Sequence, residues 1–190
     1  MIPGALSARL GAILLGAILL AGCAGQVSSL PPLPPMEEGP YRLGAGDRLR
    51  LQVFGQDELS QEYLISDSGM INLPLIGSVE AEGQSLQALE EEIARQLRNG
   101  ILVDPNVTAE IVAYRPFFIL GETKAPGQYP YVPRMTVLTA VSMSGGFTFR
   151  ADQDQVSITR YVDGQMAEFR ADPLAYVAPG DVINVYERYF

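Results

Sequence analysis

A short pattern occurs twice in this chain: a turn that ends in Gly-Asp, followed at once by a run typical of a strand. The first copy is GAGDRLRLQVFGQ at residues 44–56, and the second is APGDVINVYERYF at residues 178–190. Glycine tolerates the positive φ that tight turns need, and the aspartate after it can accept hydrogen bonds from turn amides. The repeat therefore predicts two small units, each with its own turn and strand.

The first unit, residues 41–115, combines short strands with one clear helix. Leucine and valine alternate with arginine and glutamine in RLRLQVF, which predicts a half-buried strand. EYLIS and MINLPLIG are predicted to be two further strands joined by a turn at Asp67-Ser68-Gly69, and NVTAEIVAY a fourth. In SLQALEEEIARQLRNG, Ser85 can cap a helix and Asn99-Gly100 can end it. The apolar stripe of this predicted helix consists of Leu86, Leu89, Ile93 and Leu97.

The second unit, residues 116–190, repeats the mixture. FFILGE is a predicted strand, and KAPGQY is a predicted turn in which Pro126 fixes φ and Gly127 takes a positive φ. TVLTAVSMSGG is a predicted short helix that Gly145 and Gly146 end. QVSITRYVDGQMAEFR is a predicted hairpin around its Asp-Gly pair, and APGDVINVYERY closes the unit. Strands wrapped around one helix predict an α+β fold rather than a doubly wound parallel sheet.

The N-terminal segment has the pattern of an export signal. Arg9 precedes an apolar run from Leu10 to Leu20, shorter than the roughly 20 residues of a membrane-spanning helix. The run leads into Leu-Ala-Gly-Cys, which resembles a bacterial lipobox with cleavage after Gly22 and acylation of Cys23; an ordinary signal peptide with a chance cysteine is the alternative. We predict a lipoprotein signal peptide over residues 1–22 and a proline-rich tether over residues 23–40. The residue after Cys23 is alanine rather than aspartate, which favours the outer membrane.

Composition argues against several classes of function. A net charge of −9 opposes nucleic-acid binding, because phosphates require a basic surface. The chain has no histidine and one cysteine, which rules out Ser-His-Asp and Cys-His catalysis and argues against ordinary zinc sites. We predict no cofactor and no catalytic residue. The remaining enzymatic alternative is a carbohydrate hydrolase that uses the loop carboxylates Asp57, Glu58, Asp152 and Asp154.

The ordered motifs now carry a resemblance that covers residue 41 to about residue 186. YRLGAGDRLRLQVF and the segment from LISDSGMINLPLIG to DPNVTAEI resemble the polysaccharide biosynthesis/export domain. FFILGETKAPGQYPYVPRMTVLTAVSMSGG with APGDVINV resembles the β-grasp module called SLBB. With the lipobox, the whole resembles the Wza-type outer-membrane polysaccharide export lipoproteins. This implies residues 41–115 as the export domain and residues 116–190 as one SLBB domain.

The resemblance also implies a function and partners. It implies a ring of identical subunits that conducts a capsular or exopolysaccharide across the cell envelope. An inner-membrane copolymerase with tyrosine autokinase activity is implied at the periplasmic end. Larger members carry a C-terminal membrane helix, whereas only ten residues follow Gly180 here. We therefore expect a lipid-anchored body in the periplasm and a separate outer-membrane pore protein. The alternative is a monomeric periplasmic carbohydrate-binding lipoprotein.

Each motif position leaves two interpretations open. The Gly-Asp pairs either support turns or contact sugar, and the Gly-Gly pair either stops a helix or lets a neighbouring subunit approach. The tyrosines either stack on sugar or pack in the core or against another subunit. The tyrosines considered are Tyr114, Tyr129, Tyr131, Tyr161, Tyr176, Tyr186 and Tyr189. The candidate motif positions are Gly46, Asp47, Gly121, Pro126, Gly127, Gly145, Gly146, Gly180 and Asp181.

Overall fold

The computed structural model describes Val27 and residues 29–36, 39–162 and 164–188. Their buried apolar side chains form two separate clusters, one drawn from residues 43–107 and the other from residues 117–185. Helices and strands contribute to both, so the predicted α+β class is confirmed. The predicted signal peptide, with Gly22 and Cys23, lies outside the described residues, as does Tyr189.

The first domain is built on a three-stranded antiparallel sheet. Strand β1 (Arg48–Val53) lies between β2 (Glu62–Leu64) and β5 (Val107–Ala113). Burial along β1 alternates as its sequence predicts, with the leucines and valine inside and the polar side chains outside. Helix α1 (Leu86–Arg98) covers β5 with its apolar stripe, and the Ser85 side chain accepts a hydrogen bond from the Ala88 amide at 3.2 Å.

MINLPLIG differs from the prediction of a single strand. The structure divides it between β3 (Met70–Leu73) and β4 (Gly77–Glu80), which pair with each other as a hairpin. The reversal falls at Pro74, which cannot donate a ladder hydrogen bond, and at Leu75, whose φ is +71°. The sequence did not predict this turn, because its residues are apolar and turns are usually recognised by polar residues.

The second domain is a five-stranded sheet with one helix on its inner face. The strand order is β7-β6-β10-β8-β9, in which only β6 and β10 run parallel. Thr136 caps the helix and shares a reciprocal pair of hydrogen bonds with Thr139. The elements are β6 (Phe117–Gly121), β7 (Gly127–Tyr129), α2 (Val137–Met143), β8 (Ala151–Val162), β9 (Gln165–Ala171) and β10 (Val182–Glu187).

The described part of the proline-rich segment lies against the second domain. Pro32 forms an isolated parallel bridge with Arg170 of β9, and Leu33 packs on the second core. The structure thus adds a docking contact that the sequence prediction of a tether did not include. Proline is compatible with such an edge position because its missing N–H faces away from the ladder.

No helix in the described ranges is both long enough and apolar enough to cross a membrane.

Candidate functional site at the domain junction

The two Gly-Asp turns have the same hydrogen-bond pattern. In the first, the Gly44 amide donates to Asp47 Oδ2 at 2.9 Å, and the Asp47 amide donates to the Gly44 carbonyl at 3.1 Å. In the second, the Ala178 amide donates to Asp181 Oδ2 at 2.7 Å, and the Asp181 amide donates to the Ala178 carbonyl at 3.2 Å. Each aspartate therefore forms two hydrogen bonds with the first residue of its turn: its backbone amide donates one, and its carboxylate accepts the other.

The conformation of both turns depends on glycine at the third position. The φ angles are +91° at Gly46 and +87° at Gly180, a region in which residues with a Cβ are strained. Both aspartates are buried, with 0% of Asp47 and 1% of Asp181 exposed. Burial and saturation of these carboxylates by the protein's own donors leave them unavailable to a ligand from solvent.

The two aspartates differ in the arginine that neutralises them. Arg160 on β8 donates to Asp181 through both Nε, at 2.9 Å, and Nη2, at 2.7 Å. Burial raises the pKa of Asp181, while the hydrogen bonds and charge of Arg160 oppose that rise. Asp47 instead meets Arg115, which donates its backbone amide to Oδ1 at 2.7 Å and approaches Oδ2 with Nη1 at 3.4 Å.

Arg115 connects the two turns across the junction. Its Nε donates to the carbonyl of Pro179 in the second turn at 3.2 Å, while Nη1 donates to the Tyr41 hydroxyl at 3.0 Å. A Cβ added at Gly44 would lie 2.0 Å from Nη1, and one added at Gly180 would lie 3.2 Å from Nε. The Arg115 side chain therefore runs over glycines of both turns, and sequence reasoning missed it. The available signal was its place as the last residue of the first predicted domain.

A row of three tyrosine rings begins beside this arginine. Tyr41 donates its hydroxyl to Asp47 at 2.8 Å and contacts Tyr114 edge to face at a centroid distance of 5.0 Å. Tyr114 meets Tyr131 of the second domain in the same way at 5.4 Å. Burial is the main cause that raises the pKa of Tyr41 and of Tyr131. For these rings, the structure shows packing across the junction, one of the two interpretations left open by the sequence.

The other predicted motif positions lie away from the junction. A Cβ at Gly121 would lie 2.0 Å from the Val185 carbonyl oxygen, and its φ is +83°, so β6 can pass β10 only with glycine there. The predicted type II turn with a positive φ at Gly127 is wrong: Gly127 is not among the positive-φ residues and begins β7 opposite Ile119. Pairing with β6 holds this residue in the extended region, although Pro126 precedes it.

The Gly-Gly pair follows α2 and contacts its own chain. Gly145 and Gly146 have φ angles of +83° and +92°. The Lys124 amide donates to the Gly146 carbonyl at 3.1 Å, and a Cβ at Gly145 would lie 3.3 Å from Lys124 Cβ. The close approach that glycine permits at position 145 is thus made by the segment before β7.

The carboxylates considered for hydrolysis are divided between the two domains, and the predicted loop position is wrong for Asp152 and Asp154, which lie within β8. Asp57 and Glu58 lie in a 3₁₀ turn of the first domain. Asp152 lies on β8 of the second domain, where its Oδ1 accepts the Asp154 amide at 3.0 Å. Among the described residues, Asp57 and Asp154 border two different grooves.

Comparison with known proteins agrees with this two-domain architecture. Residues 35–112 match the polysaccharide biosynthesis/export protein family, and residues 116–170 match the SLBB domain. The chain is 35% identical to the exopolysaccharide production protein ExoF of Rhizobium meliloti (strain 1021), over 65% of this chain and 32% of ExoF. It is 30% identical to the EPS I polysaccharide export outer membrane protein EpsA of Ralstonia nicotianae (strain ATCC BAA-1114 / GMI1000), over 64% of this chain and 39% of EpsA.

The two domains, in this order, define a class of protein. By its domain content the chain is similar to the Wza-type polysaccharide biosynthesis/export proteins. The match with ExoF covers about a third of ExoF, and the match with EpsA about two fifths of EpsA. The boundary between the two matches falls at residues 113–115, where Arg115 joins the two turns.

Proposed function

We propose that this protein is a component of a capsular or exopolysaccharide export channel at the outer membrane. The observation that carries the proposal is the export domain followed directly by an SLBB domain, with a partly buried junction between them. The relative EpsA is named as a polysaccharide export outer membrane protein, which supports the same role and location for this chain. The function is transport, with no catalytic residue.

We propose further that the conduit is a ring of identical subunits. Each domain is filled by its own buried cluster, and a groove of about 930 Å³ is lined by the arm before the first domain and by the second domain. A passage for a polymer must therefore lie between copies, and closed cyclic symmetry is the usual way to form one. Weak and repeated contacts along the passage suit conduction, because tight binding would stop the chain.

The membrane attachment and the partner are also proposals. Cys23 carries the lipid anchor after cleavage behind Gly22, with the body in the periplasm. An inner-membrane polysaccharide copolymerase with tyrosine autokinase activity delivers the polymer to the ring. Cys23→Ala should release the body from the outer-membrane fraction, whereas the exposed control Met36→Ala should leave it attached. Membrane retention of Cys23→Ala equal to that of the unchanged protein would contradict the anchor.

Deletion in the native host tests the export role. Loss of polymer from the cell surface, with precursor synthesis intact and restoration by the full chain, is the expected result. Normal surface polymer after deletion would refute the proposal.

Native mass measurement of the purified full chain tests the ring separately. A strict monomer, even with its inner-membrane partner present, would favour the monomeric carbohydrate-binding function instead.

A further inference from the structure

The N-terminal arm, defined as residues 29–36, contacts the edge of the second domain. The Leu33 amide donates to the Arg170 carbonyl at 2.8 Å, and the Arg170 amide donates to the Pro31 carbonyl at 2.8 Å. Pro32 is the bridge partner of Arg170, and the Leu33 side chain packs on the second core. The arm is therefore bound by a small, well-defined set of contacts.

The arm is attached to one domain and docked on the other. After the arm, the chain enters the first domain at Tyr41, while the docking residues belong to β9 and the second core. Arm residues Pro34, Pro35 and Met36 border a groove of about 930 Å³. Arg134, Asp172 and Tyr176 of the second domain also line this groove.

The docking surface is the edge of a sheet. Strand β9 is last in the strand order, and an edge strand can pair with any extended segment that reaches it. The prolines of the arm lack the N–H groups needed to continue the ladder beyond Leu33. Docking is consequently limited to a short contact, and the contact is the same whichever copy of the chain supplies the arm.

We propose that the arm is exchanged between neighbours: in the assembled ring, the arm of one copy docks on β9 of the next copy. This proposal rests on the proposed ring. Exchange of an identical element is a low-cost route to assembly. Eight residue steps from Leu33 to Tyr41 span about 25 Å when extended, compared with a radius of gyration of about 11 Å for a domain of this size. The connection is long enough to reach an adjacent subunit.

A disulfide between differently tagged full-length copies tests the exchange. One copy carries Pro32→Cys and the other carries Arg170→Cys, because bridge partners on adjacent strands lie about 4.8 Å apart, within the range for a disulfide. We expect oxidation of co-expressed copies to give a covalent pair that carries both tags and disappears on reduction. Each variant expressed alone is the control, since the native Cys23 is present in both.

The outcomes separate the exchange from the ring. Rings of the expected mass with the mixed-tag disulfide support the exchange. Rings that form a disulfide only when both cysteines are in one chain refute the exchange and leave the ring intact. Monomers under all conditions refute both.

A second variant pair tests whether the exchanged arm holds the ring together. Leu33→Asp places a charge on the second core and should shift the ring towards monomers by tenfold or more in concentration. Met36→Asp, at an exposed arm position, is the matched control and should leave assembly unchanged. Equal assembly of the Leu33→Asp and Met36→Asp proteins would overturn the proposal.

Discussion

The two Gly-Asp turns have the same internal hydrogen bonds, yet one contributes to packing within a domain and the other to the contact between the two domains. Asp181 is paired with Arg160 from the neighbouring strand of its own sheet. Asp47 is paired with Arg115, which also reaches the carbonyl of Pro179 in the other turn. The aspartate of the second turn therefore links two neighbouring strands of one sheet. The aspartate of the first turn is linked through Arg115 to the other domain.

The comparison teaches that the partner, rather than the turn, determines the role of a buried carboxylate. Arg160 has 13% of its side chain exposed, whereas Arg115 has 31% exposed. The pair within the domain is thus better shielded from water than the pair at the junction. We expect the Asp181–Arg160 pair to affect the stability of the second domain, and the Asp47–Arg115 pair to affect the contact between the two domains.

Asp181→Ala should have the largest effect. It leaves a mostly buried arginine without its carboxylate, and breaking such a pair costs about 3–5 kcal/mol in the free energy of unfolding. Urea unfolding of the full chain measures the loss. Glu187→Ala, which removes the partner of Arg150 in an exposed pair, is the control and should cost about 0–1 kcal/mol. Equal losses in the two variants would show that burial does not distinguish these pairs.

Gly44→Ala sharpens the comparison, because the second turn already has Ala178 at the equivalent position. The new methyl group would meet the Arg115 guanidinium, and we expect a loss of about 1–3 kcal/mol from overpacking. In an Arg115→Ala background the same substitution should be nearly neutral, which a double-mutant cycle measures. If Gly44→Ala were equally harmful in both backgrounds, the backbone of the turn, and not the arginine, would require glycine.

Arg115→Ala should loosen the junction without dissolving either core. We expect a loss of about 1–2 kcal/mol, because its hydrogen bonds are charged but partly exposed. Hydrogen exchange should accelerate at the Gly180 amide, which donates to the Pro116 carbonyl at 3.0 Å, more than at core amides of β1 or β8. Uniform acceleration through the second core would contradict a role confined to the junction.

Tyr41→Phe tests the junction through its pH dependence and should have the smallest effect at neutral pH. Burial raises the pKa of Tyr41 in the folded protein above its ordinary value of about 10. The contribution of the protonated Tyr41 hydroxyl to the free energy of unfolding is therefore complete below pH about 10. It is lost at higher pH, because the tyrosine releases its proton at a lower pH in the unfolded chain than in the folded protein. Urea unfolding between pH 8 and pH 11 should show a shallower alkaline decline in Tyr41→Phe than in the unchanged protein. If the free energy of unfolding declined equally with pH in both proteins, the proposed link between Tyr41 ionisation and stability would be refuted.

Local patterns predicted much of the fold. Alternation in β1, the stripe and Ser85 cap of α1, and the hairpin of β8 and β9 all depend on residues close in sequence. The hairpin of β3 and β4 was missed because its turn contains Leu75 at a positive φ, which composition does not reveal. Gly127 was placed in a turn because the sequence does not show that β6 would pair with it.

By itself, the sequence determined the two α+β units and the two Gly-Asp turns, since both follow from short-range periodicity and the conformational freedom of glycine. Only the tertiary structure decided that Arg115 joins the turns and that Leu33 docks beside Arg170. Those contacts join residues far apart in the chain. Their existence depends on how two finished domains and an edge strand meet, which no local pattern encodes.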